Sequence, residues 1–315
     1  RLYLNTHSYG NTETSDLWDA IETAVSADGG EPVRELMDSW IWQPGYPLIL
    51  ASLNATKTRL ILQQQRFTFT PELLDDPQNW LVPIHIRING IETKYLLSDQ
   101  ALEIDIANDN AAIVVNAGGY GYYRVAYSPE LLSRLQGREL AQLATIERYS
   151  LVDDAWNAVV AGRLQAIDYI GFVSGFVDER DLAVWQAIAI GLRGCGRLLD
   201  EANYPKLQQR ILTLVSPVVT ELGWHAQAGE DDLRAKLRGL LVTLLAVNGN
   251  DRAAQEKCRE LLAQHDKQSN SVHPELVAAA TTVVASTGGT KEYDYFLEKF
   301  RTTDNPQDQL RYLYA

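Results

Sequence analysis

The sequence predicts a multidomain α and β protein. It reads as a short helical segment over residues 1–45, a small antiparallel β-sandwich over 46–128, and an irregular α-helical repeat of the HEAT/armadillo superhelix type over 129–315. Two observations carry this. The spacing of apolar residues changes from a helical period to a period of two near Tyr46 and returns to the helical period at Ser128. Turn residues also bound the middle segments closely, as they do in small all-β domains.

In the first zone, SDLWDAIETAVS predicts a helix with Ser15 as N-cap. Asp16 and Asp19 stand in its first turn, and Leu17, Ile21, Ala24 and Val25 lie along one face. After the Asp28-Gly29-Gly30 break, EPVRELMDSWIW places Pro32 near the first helical position, with Val33, Leu36, Met37 and Trp40 at helical spacing. The stretch DSWIWQPGYPLIL then ends the helix. Pro44 and Pro47 forbid its continuation, and Gly45 allows a tight turn between them.

In the middle zone, WLVPIHIRI puts Trp80, Val82, Ile84, Ile86 and Ile88 on one face and Leu81, Pro83, His85 and Arg87 on the other. Asn89-Gly90 follows as a type I′ hairpin signal, and Ile91, Thr93, Tyr95 and Leu97 carry the return strand. Further strands are expected in PLILASL, TRLILQQQRFTF, ALEIDIA, AAIVVN and GYYRVAY.

The helical period resumes at Ser128-Pro129-Glu130, an N-cap, a first-position proline and an acidic first turn. Breaks are expected at Gly162, at GFVD (175–178), at GCG (194–196), at GWHAQAG, at NGND, before His273-Pro274 and at STGG. No repeated consensus accompanies them, so the array is expected to be irregular.

Composition narrows the function. The net charge of -13 and a sequence pI near 4.9, with no Lys/Arg run, argue against nucleic acid or an anionic membrane as partner. No apolar run approaches the roughly 18 residues that a spanning helix needs. Cys195 and Cys258 stand in no metal-binding spacing and read as small buried apolar residues, which suits a reducing, cytoplasmic setting. The only methionine is Met37, and the chain opens without an apolar leader, so residue 1 is expected to be internal to a longer protein. The closing NPQDQLRYLYA starts a helix without an exit signal, and truncation is expected there too.

No catalytic or metal-binding residue emerges, and substrate-binding residues cannot be assigned. His7, His85, His225, His265 and His273 include no HExxH pair and no cysteine neighbour, which excludes a zinc site built from local ligands and leaves each a structural or solvent role. NAGGYGYYRV is not a nucleotide loop, because a strand follows it, and a close approach between strands is the better reading. Ser174 lies outside any nucleophile elbow. Asp153-Asp154 and Glu230-Asp231-Asp232 are expected to open helices as solvated first-turn acids, and Asp75-Asp76 to sit in a solvated loop.

Several motifs resemble one family. YLNTHSYGNTETSDLWDAI, MDSWIWQPGYPLI, Gln65-Arg66-Phe67, Trp80 with Pro83, and Asn116 with GYYRVAY are similar to successive segments of the aminopeptidase N family of zinc metallopeptidases, which includes the puromycin-sensitive aminopeptidases. TIERYSLVDDAWNAVVAG resembles the start of that family's helical C-terminal domain, and the likeness loosens after about residue 162. The resemblance implies that this chain holds the helical end of the catalytic domain, the β-sandwich and the first part of the helical domain. The family's HExxH, its distant glutamate, its GxMEN loop and its transition-state tyrosine all precede these segments and are absent from this sequence.

The resemblance therefore implies a C-terminal, non-catalytic fragment, inactive alone, with no cofactor of its own. The parent enzyme would use zinc to remove N-terminal residues from peptides. Its partners would be the catalytic domain of the same polypeptide and, in the parent, the peptide substrate. Arg234 and Arg238 are candidates for a concave substrate-facing surface, although ordinary solvated helix charge is the preferred reading. The alternative is a non-enzymatic binding scaffold related to the family.

Overall fold

A computed structural model describes residues 1–26, 30, 32–70, 72–73, 78–107, 110–226, 229–269 and 271–315. The Asp28-Gly29 part of the expected helix break and the Asp75-Asp76 loop, with Pro71 and Pro77, lie outside the described residues. The chain forms two compact units, Arg1–Arg163 and Leu164–Ala315.

The first unit begins with α1 (Leu2–Thr6), α2 (Thr14–Ser26) and α3 (Val33–Ile41). α2 starts one residue before Ser15, the expected cap, and Asp16 reaches back to accept from the Glu13 N–H at 2.8 Å. A longer acceptor in the first turn does the capping. Pro32 sits at the N-cap of α3 rather than inside it. α2 and α3 are held together through Arg34, which donates to Asp19 at 2.6 Å and to Asp38 at 2.9 Å.

Seven strands follow among the described residues: β1 (Pro47–Leu53), β2 (Arg59–Arg66), β3 (Val82–Ile88), β4 (Ile91–Leu97), β5 (Leu102–Asp105), β6 (Ile113–Val115) and β7 (Arg124–Tyr127). They make one sheet in the order β5-β2-β1-β7 and another in the order β4-β3-β6. The expected alternation holds in β3, where Val82, Ile84 and Ile86 are buried. It fades in β4, whose half next to the turn, including Ile91, is exposed. Asn89 and Gly90 form the expected turn with φ of 48° and 84°. One core joins residues of both sheets, among them Ile49, Leu60 and Leu62 from the first and Val82, Ile84 and Ile113 from the second, with Trp80.

The sheets are not wholly antiparallel. β7 pairs in parallel with β1, Leu48 opposite Arg124 and Ala51 opposite Tyr127. The reason is topological: the chain leaves β1, builds every other strand, and re-enters beside β1 from the same end, so the pair is a crossover rather than a hairpin. The unit closes with α4 (Pro129–Arg134), α5 (Arg138–Gln142) and α6 (Thr145–Val160). Ser128 caps α4 as its sequence predicts, accepting from the Leu131 N–H.

The second unit is helical: α7 (Ala166–Val173), α8 (Leu182–Leu198), α9 (Tyr204–Leu222), α10 (Asp232–Thr243), α11 (Arg252–Lys267), α12 (Pro274–Thr287), α13 (Thr290–Thr302) and α14 (Pro306–Leu313). The expected break at GCG does not occur. α8 runs through it, with Cys195 buried and Gly196 facing Tyr204 of α9. Close packing, not chain reversal, places the glycine there. α10 passes into a single π turn, Leu244–Asn248, where the Gly249 N–H reaches back five residues to the Leu244 carbonyl. Among the described residues no helix is long and apolar enough to cross a membrane.

Candidate functional site

Several residues that carry the family resemblance, Trp40, Gln43, Tyr46, Phe67, Trp80 and Arg124 among them, assemble at one place in the first unit. Trp40, on the last turn of α3, donates from its indole to the Leu81 carbonyl at 2.9 Å and packs beside Trp80 and Tyr122, with ring centroids 6.2 and 6.3 Å away. Gln43 donates to the Asn79 carbonyl at 2.7 Å, and Ser39 accepts from the Leu81 N–H at 3.0 Å. The helix end is thus stitched to the strand that begins at Val82. Gly45 turns the chain with φ of 97°, and a side chain there would press on Arg66.

Beyond the turn, Tyr46 stacks on Phe67 at 5.3 Å, and the Arg124 guanidinium lies over the same Phe67 ring at 5.2 Å. Arg124 donates to the Tyr46 hydroxyl at 3.2 Å, to Asp153 at 2.7 Å and to Asp154 at 2.9 Å. Asp154 also accepts from the Val125 N–H at 2.9 Å. Asp153 and Asp154 therefore do not open a helix. They sit in the middle of α6 and fasten it to β7, which overturns their reading as solvated first-turn acids. A helix-start pattern cannot reveal this, because the partner arginine is some thirty residues away in sequence.

Electrostatics mark the same place. Burial pushes the Asp154 carboxyl up to about 7, against the opposing pull of the Val125 N–H and Arg124, and the neighbouring Asp153 charge adds to the rise. Burial also works against the Arg124 charge, but the bond to Asp153, then that to Tyr46, and the fields of both carboxylates outweigh it and raise its pKa. A cavity of about 380 Å³ opens here, lined by Tyr46, Tyr122, Tyr149, Asp153 and Asp154 among others.

The glycine-rich loop is held by a second buried acid. Glu147, only 2% exposed, accepts from the Gly118 N–H at 2.8 Å, the Ala144 N–H at 2.9 Å and the Arg87 guanidinium at 2.5 Å. Burial opposes its charge, but those three bonds prevail and lower its pKa. A Cβ on Gly119, where φ is 69°, would lie 2.6 Å from Ile146. The close approach expected at NAGGYGYYRV is therefore real, but the loop meets the first turn of α6 rather than another strand.

Other candidates fall apart or change meaning. Ser174 donates to the Ile170 carbonyl at 2.7 Å, at the end of α7. Cys195 and Cys258 are buried, and burial pushes their thiols up to about 11 and about 12. Asp231 caps α10 as expected, yet Glu230 is not solvated: it forms two 2.5 Å bonds to Arg238, whose side chain is fully buried and also donates to the Leu222 and Gly223 carbonyls. Arg238 is thus neither surface charge nor free to line a concave face. Arg234 remains 40% exposed. Among the described residues no three His, Cys, Asp or Glu side chains are grouped to hold a metal ion.

Comparison with known proteins places the chain in a family. Residues 112–315 match the model of the ERAP1-like C-terminal domain. The chain belongs to that family. A puromycin-sensitive aminopeptidase of Caenorhabditis elegans is 29% identical over 96% of this chain and 33% of its own length. Aminopeptidase M1 of Arabidopsis thaliana is 29% identical over 99% of this chain and 37% of its own. The Tricorn protease-interacting factor F2 of Thermoplasma acidophilum is 28% identical over 95% and 35%. The chain thus spans about a third of the length of these relatives, of which the first two are named as aminopeptidases.

Proposed function

We propose that this chain is the C-terminal, non-catalytic portion of a zinc-dependent aminopeptidase, and that it caps and shapes the cavity in which the parent binds peptides. The observation that carries the reading is the length relation: almost all of this chain matches, yet it accounts for about a third of each aminopeptidase. In this reading residues 1–45 end the catalytic domain, 46–128 form a β-sandwich, and 129–315 begin a HEAT-like helical superhelix. The zinc and the hydrolytic groups belong to the preceding part. In this reading no step of hydrolysis runs through the residues of this chain.

The role left to these residues is positional. The Trp40–Trp80–Tyr122 cluster and the Arg124 clamp fix the path from α3 into the sheets and from β7 into α6. The test has two arms. The purified chain should release no aminoacyl reporter; release that a chelator abolishes would refute the non-catalytic assignment. The parent carrying Arg124→Gln should keep its activity on a dipeptide reporter but change its preference among longer peptides. An unchanged length preference would refute the cavity-shaping role.

A further inference from the structure

The sheet β4-β3-β6 has two edges. β6 is three residues long and buried, whereas β4 is seven residues long and exposed from Ile91 through Lys94. Among the described residues no strand pairs with β4 on the side away from β3. An open edge of this length is a template for another strand. We propose that β4 is a self-association edge, which pairs antiparallel with β4 of a second copy of this chain about a twofold axis at Thr93. The proposal goes beyond the aminopeptidase reading and does not depend on it.

The phase of the hairpin fixes which registers are open. The Asn89 N–H donates to the Ala112 carbonyl at 3.1 Å, so Asn89 turns its backbone groups toward β6 and Ile88 turns its own toward β4. Val115, opposite Ile86, agrees with this: its N–H and C=O bond the Tyr127 hydroxyl instead of β3. Ile88 and Ile86 stand opposite Ile91 and Thr93, so Ile91, Thr93 and Tyr95 use their backbone groups on β3. Those of Glu92, Lys94 and Leu96 point outward. Antiparallel neighbours bond only through residues that face the shared edge in both strands. A symmetric pair therefore centres on Thr93, on Lys94 or on Tyr95.

The side chains choose among the three. Centring on Lys94 sets it against Lys94 of the second copy, and like charges directly opposite destabilise a ladder. Centring on Tyr95 leaves Glu92 and Lys94 without an opposite charge. Centring on Thr93 sets Glu92 against Lys94 of the second copy, twice by symmetry. It also sets Ile91 against Tyr95 of the second copy in a non-hydrogen-bonded pair, where side chains approach most closely. These groups are available. Ile91 is 72% exposed, Lys94 makes no ion pair among the described residues, and Glu92 is 61% exposed and shares its arginine, Arg87, with Glu147.

The test is sedimentation equilibrium of the intact chain from micromolar to millimolar concentration, in salt that screens the repulsion between two chains of net charge -13. The expected result is a monomer that passes into a dimer as concentration rises, with amide hydrogen exchange at Glu92 and Lys94 slowing in step. Lys94→Glu, at an exposed position, should weaken the dimer about tenfold, as should Glu92→Lys. Combining both substitutions in one chain should restore it, and so should mixing the two single variants. A monomer at every concentration, slow exchange at those two amides already in the monomer, or unchanged dimerisation of the folded Lys94→Glu chain would each overturn the proposal. A dimer that the combined substitutions fail to restore would overturn the register centred on Thr93.

Discussion

Replacing Asp154 by asparagine should flatten the pH dependence of stability. In the folded chain burial holds the Asp154 carboxyl at about 7, against an ordinary value of 3.8. Between those two values the folded protein keeps a proton that the unfolded chain has released, so stability falls as pH rises. The contribution is fully present below about pH 4 and is lost as pH passes through about 7. From pH 5 to pH 8 this one group lowers stability by on the order of 2–3 kcal/mol. The carboxylates with lowered values, such as Glu147 and Glu221, act with the opposite sign and at lower pH: their contribution is present above about 4.5 and is lost as pH falls further. The window from 5 to 8 is therefore free of them. Urea unfolding, followed by tryptophan fluorescence to which buried Trp80 of the same unit contributes, measures the slope without adding salt. Asp154→Asn should remove most of the fall while leaving stability at pH 5 close to the parent chain, because the wild-type group is neutral there. An unchanged slope in the variant, or a carboxyl ¹³C titration of Asp154 with its midpoint below pH 5, would refute the assignment.

Arg238→Ala should destabilise the helical unit by about 3–5 kcal/mol, since it strands the buried Glu230 carboxylate; thermal unfolding monitored by circular dichroism measures it. Gly45→Ala should lose about 1–2 kcal/mol from the positive φ alone, seen as a lowered urea midpoint with unchanged m-value. Glu147→Gln should loosen the loop 116–121 before the core, and faster hydrogen exchange at the Gly118 N–H without a matching change at core strand amides is the expected signature. Both cysteines should resist a thiol reagent until the chain is unfolded, because the reactive thiolate is suppressed by burial.

What the sequence makes legible is whatever depends on neighbours along the chain. The alternation from Trp80 to Ile88 reports one buried face directly, and Asn89-Gly90 reports its turn, because both signals are complete within a dozen residues. The parallel pairing of β1 with β7 is not legible in this way. Each strand carries the same pattern whichever direction its partner runs, and the crossover that decides it is some seventy residues long. The GCG segment misleads for a related reason: a glycine signals a break only when it reverses the chain, and Gly196 instead makes room for Tyr204.

Charged residues show the limit most sharply. Asp153-Asp154 and Glu230-Asp231-Asp232 look alike as short acidic runs, yet only Asp231 and Asp232 behave as helix-start acids. Asp154 and Glu230 are buried beside Arg124 and Arg238, and taking such charges out of water is favourable only with hydrogen bonds in good geometry from several directions. Glu230 meets this with a two-bond arginine whose remaining donors reach the Leu222 and Gly223 carbonyls. Asp154 meets it only in part, since one guanidinium serves two carboxylates, and its raised pKa is the consequence. The same contrast separates a purely structural ion pair from one whose surroundings respond to pH: removing either should unfold its surroundings, but only around Arg124 should stability fall as the medium passes from mildly acidic to mildly basic, because the buried Asp154 carboxyl must then ionise.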